Sequence, residues 1–268
     1  MKSPTVHKRT TLLLAAAAAG LVPGCLHAQF GPPPPARPPG PARQAAPIDL
    51  TGYWVSVVTE DWRFRMVVPP KGDFSGVPLN AEGRKITDAW DPAKDVAAGT
   101  QCKAYGTPAI MRVPGRFHIT WQDDNTLKIE ADSGTQTRLL HFGAKQAPAE
   151  KPSWQGYSIA QWQMALGGGA GRGGEGQPGA QAQRGGSLKV VTTNLRPGYL
   201  RKNGVPYSEK TTVTEYYDLV HEPDGNPWLI VKTIVEDPTY LFQPFVTSTN
   251  LKKQADGSGW SPSPCLVN

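Results

Sequence analysis

The chain is poor in the residues that announce chemistry. It holds five histidines and three cysteines in 268 residues. His7 and His27 fall in the first 28 residues, which leaves His118, His141 and His221 for any mature site, thin material for a metal centre. No G-x-S-x-G, H-E-x-x-H or G-x-x-x-x-G-K-[ST] occurs, so the sequence signatures of serine hydrolases, zinc proteases and P-loop nucleotide enzymes are missing. No apolar run approaches the roughly 20 residues that span a bilayer. Charge is scarce too: the formal net charge of +6 resides in the segments that cannot pack a core. Setting aside Lys2, Lys8, Arg9, Arg37, Arg43, Arg172, Arg184 and Glu175 leaves 21 basic and 21 acidic residues. A remainder with no net charge argues against nucleic acid as a partner.

Met1 to Ala28 reads as an export signal: a basic start, the short apolar stretch TLLLAAAAAGLV, and small residues near Ala28 for cleavage. Val22-Pro23-Gly24-Cys25 admits a second reading, in which Cys25 carries a lipid anchor. Either way the mature chain is expected in the periplasm or outside the cell. Residues 29–47 are a proline-rich tether with no means of packing, expected to be disordered. Residues 48–268 then make one domain.

Cys102 and Cys265 remain after Cys25 is set aside, and two thiols in an exported domain are expected to join. A metal pair or a reactive thiol are the competing readings, and neither has C-x-x-C spacing behind it.

Most of the domain alternates with period two. In DWRFRMVV, Trp62, Phe64, Met66 and Val68 share a face; in RFHITWQ, Phe117, Ile119 and Trp121 oppose Arg116, His118 and Thr120. Turn signals at Asp123-Asp124-Asn125 and Ser133-Gly134-Thr135 divide residues 116–142 into a meander. Strands are also expected at 52–58, 187–195, 211–220, 227–236 and 240–249. One helix is expected, over 79–90, capped by Asn80 and stopped at Trp90-Asp91-Pro92. The fold class that follows is all-β, an antiparallel barrel with one short helix, with a sandwich as the competitor.

The segment LGGGAGRGGEGQPGAQAQRGG satisfies G-x-G-x-x-G at Gly169, Gly171 and Gly174. A dinucleotide turn needs a buried strand before it and a helix after it, and neither sequence pattern is present. The segment reads as a flexible hairpin insertion at 165–186, and no cofactor is expected.

Gly52-Tyr53-Trp54 resembles the G-x-W entry of lipocalins, in which the tryptophan closes one end of an up-and-down barrel. Over nearly the whole mature chain the sequence also resembles a group of uncharacterised exported bacterial proteins. The likeness is carried by Gly83-Arg84-Lys85-Ile86-Thr87-Asp88-Ala89-Trp90, Gly106-Thr107-Pro108, Trp154-Gln155-Gly156-Tyr157-Ser158, Pro206-Tyr207-Ser208-Glu209, Thr214-Glu215-Tyr216, Glu236-Asp237-Pro238 and a terminal cysteine. That resemblance implies a lipocalin-like barrel and an enlarged connector between Trp162 and Leu188; it implies no reaction.

Candidate sites follow from register. Three-residue loops in the meander would place Ile119 opposite Ile129, Ile129 opposite Leu139, His118 beside Glu130 and Glu130 beside Arg138. That row is either a solvent-facing charge ladder or, if it lines a lumen, an acid–base or anion site built from His118, Glu130 and Arg138. Glu215 shares a face with Val213 and Tyr217 and is expected to point inward, paired with Lys232 across a hairpin. Trp54, Trp121, Tyr157, Trp162, Trp228 and Tyr240 are many rings for one barrel: core, or the lining of a small-molecule pocket together with Arg138, Glu215 and Lys232. Binding of a small, mainly apolar ligand is the favoured expectation, ahead of an enzyme or an envelope structural module.

Overall fold

The computed structural model describes residues 40–149, 151–164, 185–223 and 225–267. The export signal, Cys25, the tether up to residue 39 and the glycine-rich residues 165–184 lie outside the described residues, and so does Asp224 of the Pro223-Asp224-Gly225-Asn226 turn.

Nine strands close into a barrel. They are β1 (Gly52–Val57), β2 (Arg116–Asp123), β3 (Thr126–Ala131), β4 (Gln136–Phe142), β5 (Tyr157–Met164), β6 (Gly186–Thr193), β9 (Thr212–His221), β10 (Pro227–Glu236) and β11 (Phe245–Lys253). Two further strands, β7 (Gly198–Arg201) and β8 (Val205–Tyr207), form a separate ribbon inserted between β6 and β9. The order around the barrel is β1-β11-β10-β9-β6-β5-β4-β3-β2. Every neighbouring pair is antiparallel except β4 and β5, which run parallel with Leu140 opposite Ser158. The expectation of a wholly antiparallel barrel is corrected at that joint. Residues 143–156 make the crossover that a parallel connection requires, and its glycines and prolines carry no strand pattern.

Period two sorts each strand into a buried and an exposed face. Trp54, Phe117, Ile119, Leu127, Ile129, Leu140, Leu188, Val190, Tyr217, Leu229, Val231 and Leu251 point inward and form one apolar cluster inside the barrel. A second cluster, including Val77, Leu79, Leu195, Leu200, Val205, Tyr207 and Phe245, fastens the long β1–β2 connection and the ribbon to the barrel.

That connection, residues 58–115, departs most from the sequence reading. Residues 62–68 are not a strand: Asp61 takes a left-handed conformation (φ 48°) and the chain enters the short helix α1 (Trp62–Arg65). The alternation there did not report a buried strand face, because Trp62 and Met66 are 64% and 60% exposed. Helix α2 (Ala81–Ala89) forms within the expected range, with the Asn80 side chain accepting from Gly83 N at 2.9 Å. The Trp90-Asp91-Pro92 step that ends α2 also begins α3 (Pro92–Ala97), because Asp91 caps the new helix from the residue before a proline at its first position. A 3-10 turn (Gln101–Tyr105) and α4 (Thr107–Ile110) follow, so the helical content exceeds the one helix expected.

Cys102 and Cys265 are disulfide-bonded, with Cα atoms 5.1 Å apart. The bond pins the C-terminal tail to the 3-10 turn, and the Tyr105 hydroxyl accepts from Leu266 N at 3.0 Å beside it. At the other end of the domain, residues 41–46, read from sequence as tether, are docked: Ala42 N donates to Asn125 Oδ1, Arg43 N donates to Asp124 O, and Trp162 Nε1 donates to Ala42 O. No helix among the described residues is long and apolar enough to cross a membrane.

Candidate functional site

The register of β3 and β4 decides what the barrel encloses. Ile119 lies opposite Ile129 and His118 opposite Glu130, as expected, although the turn between β2 and β3 is only Asp124-Asn125 and a bulge between Trp121 and Asp123 supplies the extra residue. Between β3 and β4 the loop is Asp132–Thr135, four residues, with Gly134 and Thr135 both at positive φ (79° and 49°). The pairing therefore slips by one: Ile129 faces Arg138 and Glu130 faces Thr137. A slip of one residue exchanges the faces of a strand. Arg138 leaves the expected ladder and enters the barrel.

Inside, Arg138 meets Glu215 in a bidentate ion pair, Nη1 to Oε1 at 3.1 Å and Nη2 to Oε2 at 2.5 Å, with both side chains almost wholly buried. The Tyr217 hydroxyl accepts from Arg138 Nη1 and donates to Glu215 Oε1, each at 3.3 Å. Burial works to discharge the guanidinium, but the Glu215 carboxylate outweighs it and raises the Arg138 pKa. The expected inward position of Glu215 is correct; the expected partner is not. Lys232 sits opposite Tyr216 on the outer face, with its ammonium 4.6 Å from the Tyr216 ring centre, because the β10 face it shares with Trp228, Ile230 and Ile234 is the outer one.

The remaining candidates divide similarly. Trp54 is fully buried inside, donating from Nε1 to Leu50 O at 2.9 Å, with the Lys253 ammonium over its ring. Trp121 and Trp162 meet Phe142 at the barrel end covered by the docked residues 41–46. Trp228 lies on the outer face beneath Lys252, and Tyr157 stacks outside on His141 at 4.6 Å. Tyr240 packs into the second apolar cluster, against Gly83 of α2. None of these last three lines the lumen. Outside the barrel, His118 stacks on Tyr53 with ring centres 4.0 Å apart, 3.4 Å from Glu130, which also pairs with Lys128 at 3.0 Å. The His118–Glu130–Arg138 trio is not assembled, since Arg138 occupies the other side of the sheet. No group of three metal-ligating side chains occurs among the described residues.

A different site emerges where α1, the stretch after α4 and the ribbon β7–β8 converge. A cavity of about 110 Å³ opens there, lined by apolar side chains that include Met66, Val67, Val68, Val113 and Leu200, and by Arg65, Arg112 and Arg201. All three arginines are more than nine-tenths buried. Arg65 donates from Nε to Arg112 O at 2.9 Å and pairs through Nη1 with Glu60. Arg112 lies 3.1 Å from Asp61 and over the Phe245 ring. Arg201 lies 4.2 Å above the Phe64 ring centre and donates from Nη1 to Ser75 O at 2.8 Å.

The three guanidiniums are incompletely satisfied. Arg65 Nη2, Arg112 Nη2 and Arg201 Nε are buried without a partner among the described residues, while Arg112 Nη1 faces Asp61 Oδ2. Burial first, and then the neighbouring charge of Arg112, lower the Arg201 pKa to about 10. Sequence reasoning missed this cluster. In the alternation of DWRFRMVV Arg65 falls with Arg63 on the face opposite Trp62, Phe64 and Met66, and Arg112 and Arg201 carry no motif. The even charge of the whole domain concealed a local excess of one sign.

Comparison of the chain with protein families, with curated proteins and with solved structures gives no match.

Proposed function

We propose that the chain is an exported binding protein for a small molecule with a mainly apolar body, seated in the cleft beside the barrel between α1, the segment after α4 and the β7–β8 ribbon. One observation carries the reading: the inward-facing side chains form a packed apolar cluster around a closed ion pair, while an apolar-lined cleft stands open at the side. Ligand sites combine apolar walls with a few convergent polar groups, and this cleft has both. The basic, apolar, small-residue leader supports export, and the Cys102–Cys265 bond fits an oxidising compartment.

Native mass spectrometry of protein purified from its own host tests the reading. The expected result is a small-molecule adduct that disappears in Val67→Asp, a change at a cleft residue that is 61% exposed and therefore tolerant of charge. A wild-type protein without an adduct, or an adduct that survives Val67→Asp at full occupancy, overturns it.

A further inference from the structure

The chemistry of the cleft's ligand can be taken further, and the step rests on the reading just given. We propose that Arg65, Arg112 and Arg201 form an oxyanion seat, so that the ligand is an amphiphile whose apolar body ends in a carboxylate or phosphate.

A guanidinium carries five N–H donors in a fixed plane, and a buried donor left unpaired costs on the order of 1–3 kcal/mol, more when it is charged. Three such groups line one cavity, and one nitrogen of each, Arg65 Nη2, Arg112 Nη2 and Arg201 Nε, is unpaired. The counter-charges do not answer all of them. Glu60 pairs with Arg65 and Asp61 with Arg112, while Asp73 is tied to the exposed Arg63 at 3.2 Å. Arg201 has no carboxylate at pairing distance among the described residues; its one acceptor is the Ser75 carbonyl. Lys202 lines the same cavity and adds a fourth cation. The depressed Arg201 pKa has Arg112 among its causes, so two cations are held in mutual repulsion that an anion would relieve.

Shape selects the kind of anion. Planar, forked donors match the two oxygens of a carboxylate or phosphate, and Arg is the residue suited to that geometry in a dry setting. The orientation of the forks is itself supported: Phe64 backs Arg201, Phe245 backs Arg112, and the Arg112 carbonyl holds Arg65 Nε. The same cavity is lined by Met66, Val67, Val68 and Pro69, where a free inorganic anion would find nothing to satisfy. An anionic head with an apolar tail uses both halves.

Isothermal titration calorimetry on the mature chain with decanoate, decyl phosphate, decanol and inorganic phosphate separates the possibilities. The expected result is that both decyl anions bind, with decanol and inorganic phosphate each about tenfold weaker or more, the worth of one charge-assisted hydrogen bond. Arg201→Gln should weaken the decyl anions about tenfold while leaving decanol unchanged, and Val67→Asn, which removes apolar wall without adding charge, should weaken decanol and the anions alike. Circular dichroism melting accompanies each variant; where Arg201→Gln does not fold, the weakening of decanoate relative to decanol by salt in the wild type decides the point. Equal affinity for decanol and decanoate overturns the anion seat and leaves the apolar cleft standing. Inorganic phosphate binding as tightly as decyl phosphate overturns the amphiphile, and silence from all four probes overturns both readings.

Discussion

Arg138 on β4 and Glu215 on β9 meet across the inside of the barrel through two parallel N–H···O contacts, with Tyr217 bridging both ends. Strands β5 and β6 lie between β4 and β9 in the barrel order, so the pair bridges two non-neighbouring strands through the interior. Removing one partner strands a charge in an apolar cluster. Glu215→Leu or Arg138→Met alone should lower stability by about 3–5 kcal/mol, and the double variant by much less than the sum, because the lone charge is then gone. Urea unfolding of the four proteins in the cycle measures this; additive losses would show that the pair is not coupled.

The disulfide makes a separate prediction. Cys102→Ser with Cys265→Ser should cost about 2–5 kcal/mol, since the bond closes a long loop and holds the tail against Tyr105 and Gly134. Thermal melting with and without reductant checks it, and the double serine variant should be indifferent to reductant.

Asp95 supplies a pH dependence. Burial alone would raise its carboxyl, but donors from Lys103 Nζ (2.6 Å), the Tyr199 hydroxyl (2.9 Å) and Trp90 Nε1 (3.0 Å) outweigh burial and hold it below the usual range. A folded value below the unfolded one means a contribution present above about pH 4 and lost as pH falls through the folded value. Asp95→Asn should therefore be less stable at neutral pH and lose less stability on acidification below about pH 4 than the wild type. Unfolding free energies measured from pH 7 downward would show parallel curves if the carboxylate is not held by those donors.

The connector between β5 and β6 makes the last prediction. Met164 and Gly186 are opposite each other on the ladder, so the chain leaves and re-enters the hairpin at neighbouring rungs. Replacing residues 165–185 by Gly-Asp should leave the melting temperature and ligand affinity unchanged, loop length entering the closure entropy only logarithmically. A fall of several degrees would show that the removed residues touch the barrel.

Several features were legible in the sequence because period two is a local signal. β2, β3, β6, β9 and β10 and the inward position of Glu215 follow from alternation between turn residues. The interior pair did not, because it depends on a loop of four rather than three residues, and that one residue moves Arg138 across the sheet. Trp228 and Tyr157 mislead for a related reason: alternation says that a strand has two faces, not which one is inner when both carry apolar side chains. The arginine cleft was hidden more deeply. Its three cations come from an apparent strand, the end of a short helix and a ribbon rich in glycine and proline, and only tertiary packing brings them together.

The seam between β1 and β11, from Trp54 opposite Lys253 to Val57 opposite Asn250, sets the timetable of folding. The first strand of the barrel must wait for the last, and one of its edges stays unpaired until β11 is in place. Such non-local closure places the chain among slow folders. An open edge during that interval invites pairing with other chains. The newly made protein therefore gains most from a chaperone that covers β1 until β11 arrives.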